Sequence, residues 1–180
     1  AFSPVFISVT LADNIASEFG SGIFTNSNGA NPIIQNSIIW GNESIEGGHI
    51  FLGSGCEIIV NNSNLQGGES AIIGFDDIIY NGNINLNPEF VDGENGDYNL
   101  QVISPCIDAG SPNSPADPDG TTADMGAYYY DQVINIPGCM DESAQNYNPD
   151  ANINLWCIYG PSFISIYDAP DDQGGYVFLN

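Results

Sequence analysis

In 180 residues the chain carries 23 Asp and Glu, no Lys, no Arg and a single His, for a formal net charge of -23. Roughly a tenth of the residues of an ordinary protein are basic, and their absence excludes functions that rest on a fixed cation. Phosphate-backbone binding to nucleic acid, attachment to anionic lipid, and phosphoryl transfer through an Arg clamp or a P-loop Lys are among them. A hydrophobic content of 42% with nine Tyr and nine Phe predicts a packed core rather than an acidic disordered tail. Positive charge then has to come from solution, and Ca²⁺ is the usual extracellular source.

The opening AFSPVFISVT lacks an initiator Met and a basic n-region, and no stretch approaches the roughly 18 apolar residues of a membrane span. With the apolar alternation GGYVFLN at the other end, it reads as a piece of a longer precursor. Next, GSGIFTNSNGANPIIQNSIIWGN (20–42) is echoed by GGHIFLGSGCEIIVNNSNLQGG (47–68), and more weakly by IIYNGNINLNPEF (78–90). Ile33-Ile34 and Ile58-Ile59 lie 25 residues apart, and Gly20 and Gly47 lie 27 apart. Such periods signal stacked repeats. The apolar runs inside each period are too short for helices, and the Asn and Gly between them suit sharp corners. The predicted fold is all-β, a right-handed parallel β-helix (solenoid) with Ile and Val stacked inward and Asn ladders at the turns.

The stretch NPEFVDGENGDYNLQVISPCIDAGSPNSPADPDGTTADMGAYYYD (87–131) resembles the C-terminal end of extracellular pectate-lyase-like β-helices of the choice-of-anchor Q type. The parts that carry the resemblance are Asn-Pro-x-Phe, Asp-Tyr-x-Leu, Ser-Pro-Cys-Ile-Asp-Ala-Gly and Asp-x-Gly-Ala-Tyr, with NSIIWGN (36–42) upstream. PGCMDESAQNYNPDANINLWCIYG (137–160) is similar to a short Cys-bounded module of large secreted and surface proteins of Bacteroidota-like bacteria. Ile-Asn-Leu-Trp replaces that module's usual Asp-Asp-Gly-Ser before the second Cys. ISIYDAPDDQGGYVFLN (164–180) resembles the strand that opens a following fibronectin-like domain. The resemblance implies a β-helix with a C-terminal cap over 1–131, a small disulfide-bounded module over 132–160, and over 161–180 a linker with the first strand of a further domain or an assembly strand.

The four cysteines show no CxxC spacing, which favours disulfides and an oxidising, extracellular compartment over zinc. Cys139 and Cys157 bound a short Asn/Pro-rich stretch with little core, so they are expected to form a staple, with Cys56–Cys106 as a second bridge.

For metal binding, DPDGTTAD places Asp117, Asp119 and Asp124 in one Pro/Gly turn, where their oxygens can converge on Ca²⁺ or cap the turn backbone. Asp92 and Asp97 form a second acidic loop, and Asp141 with Asp150 and Asp171-Asp172 are weaker candidates. The pair Asp76-Asp77 is too close in sequence for a glycosidase dyad, because neighbours on a strand face opposite sides. His49, in GGHIF, has no paired acid or nucleophile nearby in sequence and reads as structural. Of the aromatics, Tyr128, Tyr130 and Trp156 are the candidate interaction surface, while Trp40 belongs to the repeat wall and Tyr129 to its cap.

Lyase chemistry on uronates uses a basic proton abstractor, which this chain lacks. The expectation is a secreted or cell-surface, non-enzymatic structural or adhesive module, one unit of a long surface protein or filament. Its expected partners are copies of itself or neighbouring domains, with no nucleic acid and no membrane insertion. The alternative is a carbohydrate-binding or glycoside-cleaving β-helix that uses Asp residues and exposed aromatics.

Overall fold

The computed structural model describes residues 3–26, 29–74, 77–132, 136–160, 166–168 and 177–179, the last two segments as backbone. The chain forms two compact units, residues 1–132 and 133–180. Both are built from short strands. Among the described residues the only helical turns are 3-10 turns at Gly68–Ala71 and Gly93–Asn95, and no helix is long and apolar enough to cross a membrane.

In the first unit, successive passes of the chain lay their strands beside one another in several parallel sheets of two to four strands. The first pass supplies β1 (Val5–Ile7), β2 (Thr10–Ala12), β3 (Ile15–Ala16) and β4 (Ile23–Phe24). The second supplies β5 (Ile33–Gln35), β6 (Ile38–Trp40), β7 (Glu43–Ser44) and β8 (Ile50–Leu52). The third supplies β9 (Ile58–Asn61), β10 (Asn64–Leu65) and β11 (Ile72–Gly74), and β12 (Ile78–Asn81) begins a fourth. Strands pair in the orders β1-β5-β9-β12, β2-β6-β10, β4-β8-β11 and β3-β7, all parallel.

The register produces three apolar columns: Phe6-Ile34-Val60-Tyr80, Leu11-Ile39-Leu65 and Ile23-Ile50-Ile72. They meet in one core with Leu52, Cys56 and Ile58. Each fully buried Ile or Leu contributes about 1.5–3 kcal/mol of transfer free energy, so these columns are the main force holding the passes together. The sequence echo is one residue out of step at its centre. Ile33 pairs with Ile59 and Ile34 with Val60, whereas matching the Ile-Ile doublets would pair Ile33 with Ile58. A slip of one exchanges inside for outside, and the buried Ile34 and Val60 decide the register.

Corners stack as well. Ser8, Asn36, Asn62 and Gly82 follow the four strands of the first sheet at φ 50, 48, 46 and 64, a left-handed conformation that Asn and Gly adopt at low cost. Beside them runs a side-chain ladder. Val9 N donates to Ser37 Oγ (3.1 Å), Ser37 N to Ser63 Oγ (3.1 Å) and Ser63 N to Asn83 Oδ1 (2.9 Å). The sequence separations at these rungs are 28, 26 and 20. These bonds satisfy backbone donors at bends that the strand ladders leave open.

After the last pass, β13 (Phe90–Asp92) and β14 (Asp97–Leu100) form an antiparallel pair. Residues 104–130 then run along the flank of the stack and touch successive passes. Ala127 N donates to Thr10 Oγ1, Ser111 N to Asn36 Oδ1, and Asn64 Nδ2 to Cys106 Sγ. A second buried cluster of Ile38, Leu100, Cys106 and Met125 seals this flank.

Cys106 therefore lies in this second cluster, while Cys56 lies in the core of the columns. Both are buried free thiols, which corrects the expectation of a Cys56–Cys106 bridge. Each fills apolar space in a different core. Burial pushes the Cys106 thiol above its ordinary pKa.

In the second unit, β15 (Pro137–Gly138) and β16 (Ile153–Asn154) pair in parallel, and Cys139 and Cys157 form the disulfide that bounds this stretch. Further on, β17 (Ile166–Asp168) and β18 (Val177–Leu179) pair with each other antiparallel.

Candidate binding groove

A cavity of about 600 Å³ opens where the β13–β14 pair meets the stack. Its walls carry the carboxylates of Asp13, Glu89 and Glu94 and the rings of Trp40, Phe90 and Tyr98. Each side chain has a local reason to be there. Trp40 ends β6, and its indole packs partly against the flank core before reaching the groove. Asp13 occupies the corner after β2, at φ 54; the same corner in the next two passes is Gly41 (φ 68) and Gly67 (φ 79). A carboxylate thus stands where the repeat otherwise places glycine.

Tyr98, on β14, donates its hydroxyl to Asp13 Oδ2 at 3.0 Å across 85 residues of sequence. Partial burial and the adjoining Asp13 carboxylate hold the Tyr98 hydroxyl above its ordinary pKa, so it remains a donor at neutral pH. Its ring stands edge-on to Phe90, with centroids 5.2 Å apart and planes at 75°, a favoured aromatic geometry.

The Glu89 wall is also fixed. Glu89 adopts φ 54, its carbonyl accepts from Gln101 N (2.9 Å), Gln101 Nε2 donates to Phe90 O (2.8 Å) and Ser104 Oγ to Pro88 O (2.6 Å). Among the described residues, no hydrogen-bond donor reaches the carboxylates of Glu89 or Glu94. With no Lys or Arg in the chain, the groove is uniformly negative.

The carboxylates singled out from sequence serve other ends. Asp117 Oδ2 accepts from Asp124 N (2.8 Å). Asp119 takes Thr121 N and Oγ1 on one oxygen (3.0 and 2.7 Å) and Gln132 N on the other (2.8 Å). Asp124 takes Asp108 N (2.7 Å) and Tyr130 N (2.6 Å). Donors thus reach both oxygens of Asp119 and Asp124 and one oxygen of Asp117. Among the described residues no three His, Cys, Asp or Glu are grouped to hold a metal ion, so Asp117, Asp119 and Asp124 tie the turn rather than converge on a site. The N–H bond from Gln132, with those of Thr121, holds the Asp119 carboxyl below its ordinary range, whereas burial raises that of Asp124 against the bonds it accepts.

Asp92 and Asp97 likewise bind their own turn, through Asn95 Nδ2 and Asn99. Asp141 holds Ser143 and the Tyr159 hydroxyl (2.7 Å). Asp76, Asp171 and Asp172 lie outside the described residues.

Of the aromatics singled out, Trp156 is 87% and Tyr128 50% exposed. Tyr130 is instead half-buried against the flank core, a correction that follows from Asp124 accepting its N–H. Tyr129, placed in a cap by the sequence reading, is exposed. His49 precedes β8 and its carbonyl receives Gly22 N (2.9 Å) and Ile23 N (3.1 Å). Burial lowers the pKa of its imidazole, which keeps the ring neutral.

Of the groove residues, the sequence reading noted Trp40 as wall, and Asn87, Phe90 and Tyr98 only as parts of the Asn-Pro-x-Phe and Asp-Tyr-x-Leu motifs. Glu89, Phe90, Glu94 and Tyr98 are close together in the chain, but Asp13 and Trp40 lie far upstream and cannot be associated with them without the register. The available signal was an Asp at the corner position that later passes give to Gly.

No protein-family model matches the chain, and neither a curated protein nor a solved structure does.

Proposed function

We propose that residues 1–132 form a short right-handed parallel β-helix that serves as a non-catalytic structural and adhesive unit of a secreted or cell-surface protein, either a long multidomain chain or a filament. The observation that carries this reading is the in-register parallel pairing of successive passes, with its columns and its Ser/Asn ladder. A stack of this kind is stiff and presents strand edges at its two ends, where another domain or a second copy can pair. The lack of Lys and Arg supports a structural role outside the cell, because trypsin-like proteases have no basic residue to cleave after.

A second reading, carbohydrate binding or cleavage, is favoured by the acid- and aromatic-lined groove. Adhesion through that groove reconciles the two, since aromatic faces stack on sugar rings.

The test is antibody labelling of intact cells together with incubation of the pure protein on a panel of polysaccharides. Surface labelling without released reducing sugar is the expected result. Label confined to the cell interior, or depolymerisation of any glycan, overturns the proposal.

A further inference from the structure

We infer that the groove between β6, β13 and β14 binds a glycan through free amino groups, that is, an amino sugar in its ammonium form. The inference rests on the groove being the adhesive surface and adds the class of ligand.

Three observations converge on a cation. Asp13, Glu89 and Glu94 line one cavity in a chain with no basic residue to neutralise them, so an entering cation meets carboxylates that no charge of the chain compensates. The Glu89 and Glu94 carboxylates receive no hydrogen bond among the described residues, which leaves their oxygens free to accept from an ammonium group. The third wall is aromatic: Trp40, Phe90 and Tyr98 offer π-surface, and cations within about 6 Å of such rings are attracted to their faces.

The aromatic wall also separates an organic cation from a metal ion. A metal needs several oxygens converging on one point, and no such grouping occurs among the described residues. A cavity of about 600 Å³ lies within the range of sites for small organic ligands and exceeds what a single lysine side chain fills. A sugar ring presents an apolar face to an aromatic ring and hydroxyls to carboxylates, so a sugar with an amino group uses both walls at once.

The local structure is preformed for this. Tyr98 is locked by its bond to Asp13 and its edge contact with Phe90. The Glu89 backbone is held by Gln101. A preformed site loses little affinity to ordering.

The experiment titrates the protein, in a Trp156→Phe background so that Trp40 is the sole indole, with glucosamine trimer, its fully N-acetylated counterpart and lysinamide at physiological salt. Fluorescence and calorimetry follow binding. The glucosamine trimer is expected to bind, the N-acetylated trimer at least tenfold more weakly, and the Glu89→Gln/Glu94→Gln variant to lose roughly tenfold or more in affinity. Glu43→Gln/Glu46→Gln changes net charge equally away from the groove and is expected to leave binding within about twofold.

Equal loss in both double variants reduces the effect to bulk charge and overturns the inference. Equal binding of the N-acetylated trimer overturns the ammonium claim but leaves glycan adhesion standing. Tighter binding of lysinamide than of glucosamine overturns the sugar assignment, and binding of none of the three removes the groove from the adhesive reading as well.

Discussion

Asp13 lays its carboxylate over the face of Gly41 from which a side chain would project: a Cβ added to Gly41 meets Asp13 Oδ1 and Cγ. The two residues occupy the same corner in adjacent passes, so a side chain in one is accommodated by its absence in the other. Gly41→Ala is expected to cost about 1–3 kcal/mol, from the clash and from φ 68. Pairing it with Asp13→Gly should restore all but the roughly 1 kcal/mol owed to the backbone conformation. Urea denaturation of both single variants and the double variant measures this coupling; a double loss equal to the sum of the two single losses would show that the two positions are independent.

Asn36 is a corner residue that also holds the flank. It is 1% exposed, its Oδ1 accepts Ser111 N (2.8 Å) and its Nδ2 donates to Ser114 Oγ (2.9 Å). Asn36→Ala leaves a buried donor without a partner and should destabilise by about 1–3 kcal/mol. Hydrogen exchange should speed first at Ser111, with the amides of the apolar columns following only at global unfolding. Uniform acceleration across the parallel sheets would contradict a local attachment.

Only one pair of cysteines is bonded, so reduction should act on one unit. Opening Cys139–Cys157, 18 residues apart, removes about 3 kcal/mol in the chain-entropy account. The residue 136–160 stretch has few buried side chains to compensate. Melting under reductant is expected to lower the transition of the second unit and leave that of the first in place. Alkylation after denaturation should label two thiols, Cys56 and Cys106, without reductant and four with it.

The pH dependence should have two opposing limbs. Asp119 and Asp141 have pKa values held below the ordinary 3.8, the first mainly by Gln132 N and the second by the Ser143 hydroxyl and then Tyr159. Their stabilisation is complete above that ordinary value and is lost as pH falls through the depressed ones. Asp124, raised by burial, acts in reverse: its contribution is complete below 3.8 and is lost as pH rises through its higher folded value. Melting temperatures between about pH 2 and 7 should show this, with Asp119→Asn flattening the acid limb of the first unit. An unchanged acid limb in that variant would remove Asp119 from the account.

Short Ile-rich runs separated by Asn and Gly made the all-β character and the parallel repeats legible, because corner chemistry and strand length are local. Register was less so. Ile33-Ile34 and Ile58-Ile59 look alike in sequence, and only the burial of Ile34 and Val60 settles which residue of each doublet faces inward. The Cys139–Cys157 staple was readable from its setting, whereas the lack of CxxC spacing, taken as favouring disulfides throughout, misdirected the reading of Cys56 and Cys106, which lie in separate cores. Asp117, Asp119 and Asp124 could be read from sequence as Ca²⁺ ligands or as turn caps, because composition shows the acids but not the N–H groups that fold onto them. The groove was hidden because Asp13 and Tyr98, 85 residues apart, meet only where the β13–β14 pair packs against the stack.

The ladder from Val9 through Ser37 and Ser63 to Asn83 also bears on how a chain of this kind changes in length over generations. Each rung is a backbone N–H given to a side-chain oxygen of the next pass, a Ser hydroxyl twice and then an Asn carboxamide, at separations of 28, 26 and 20 residues, so the length of chain between rungs varies while the kind of joint is kept. A duplication or loss of one entire pass leaves every remaining joint with a suitable neighbour. A single-codon insertion within Ile58–Asn61 turns Val60 outward and an asparagine inward. Inheritance should therefore alter such proteins in whole storeys, with small insertions confined to the bends.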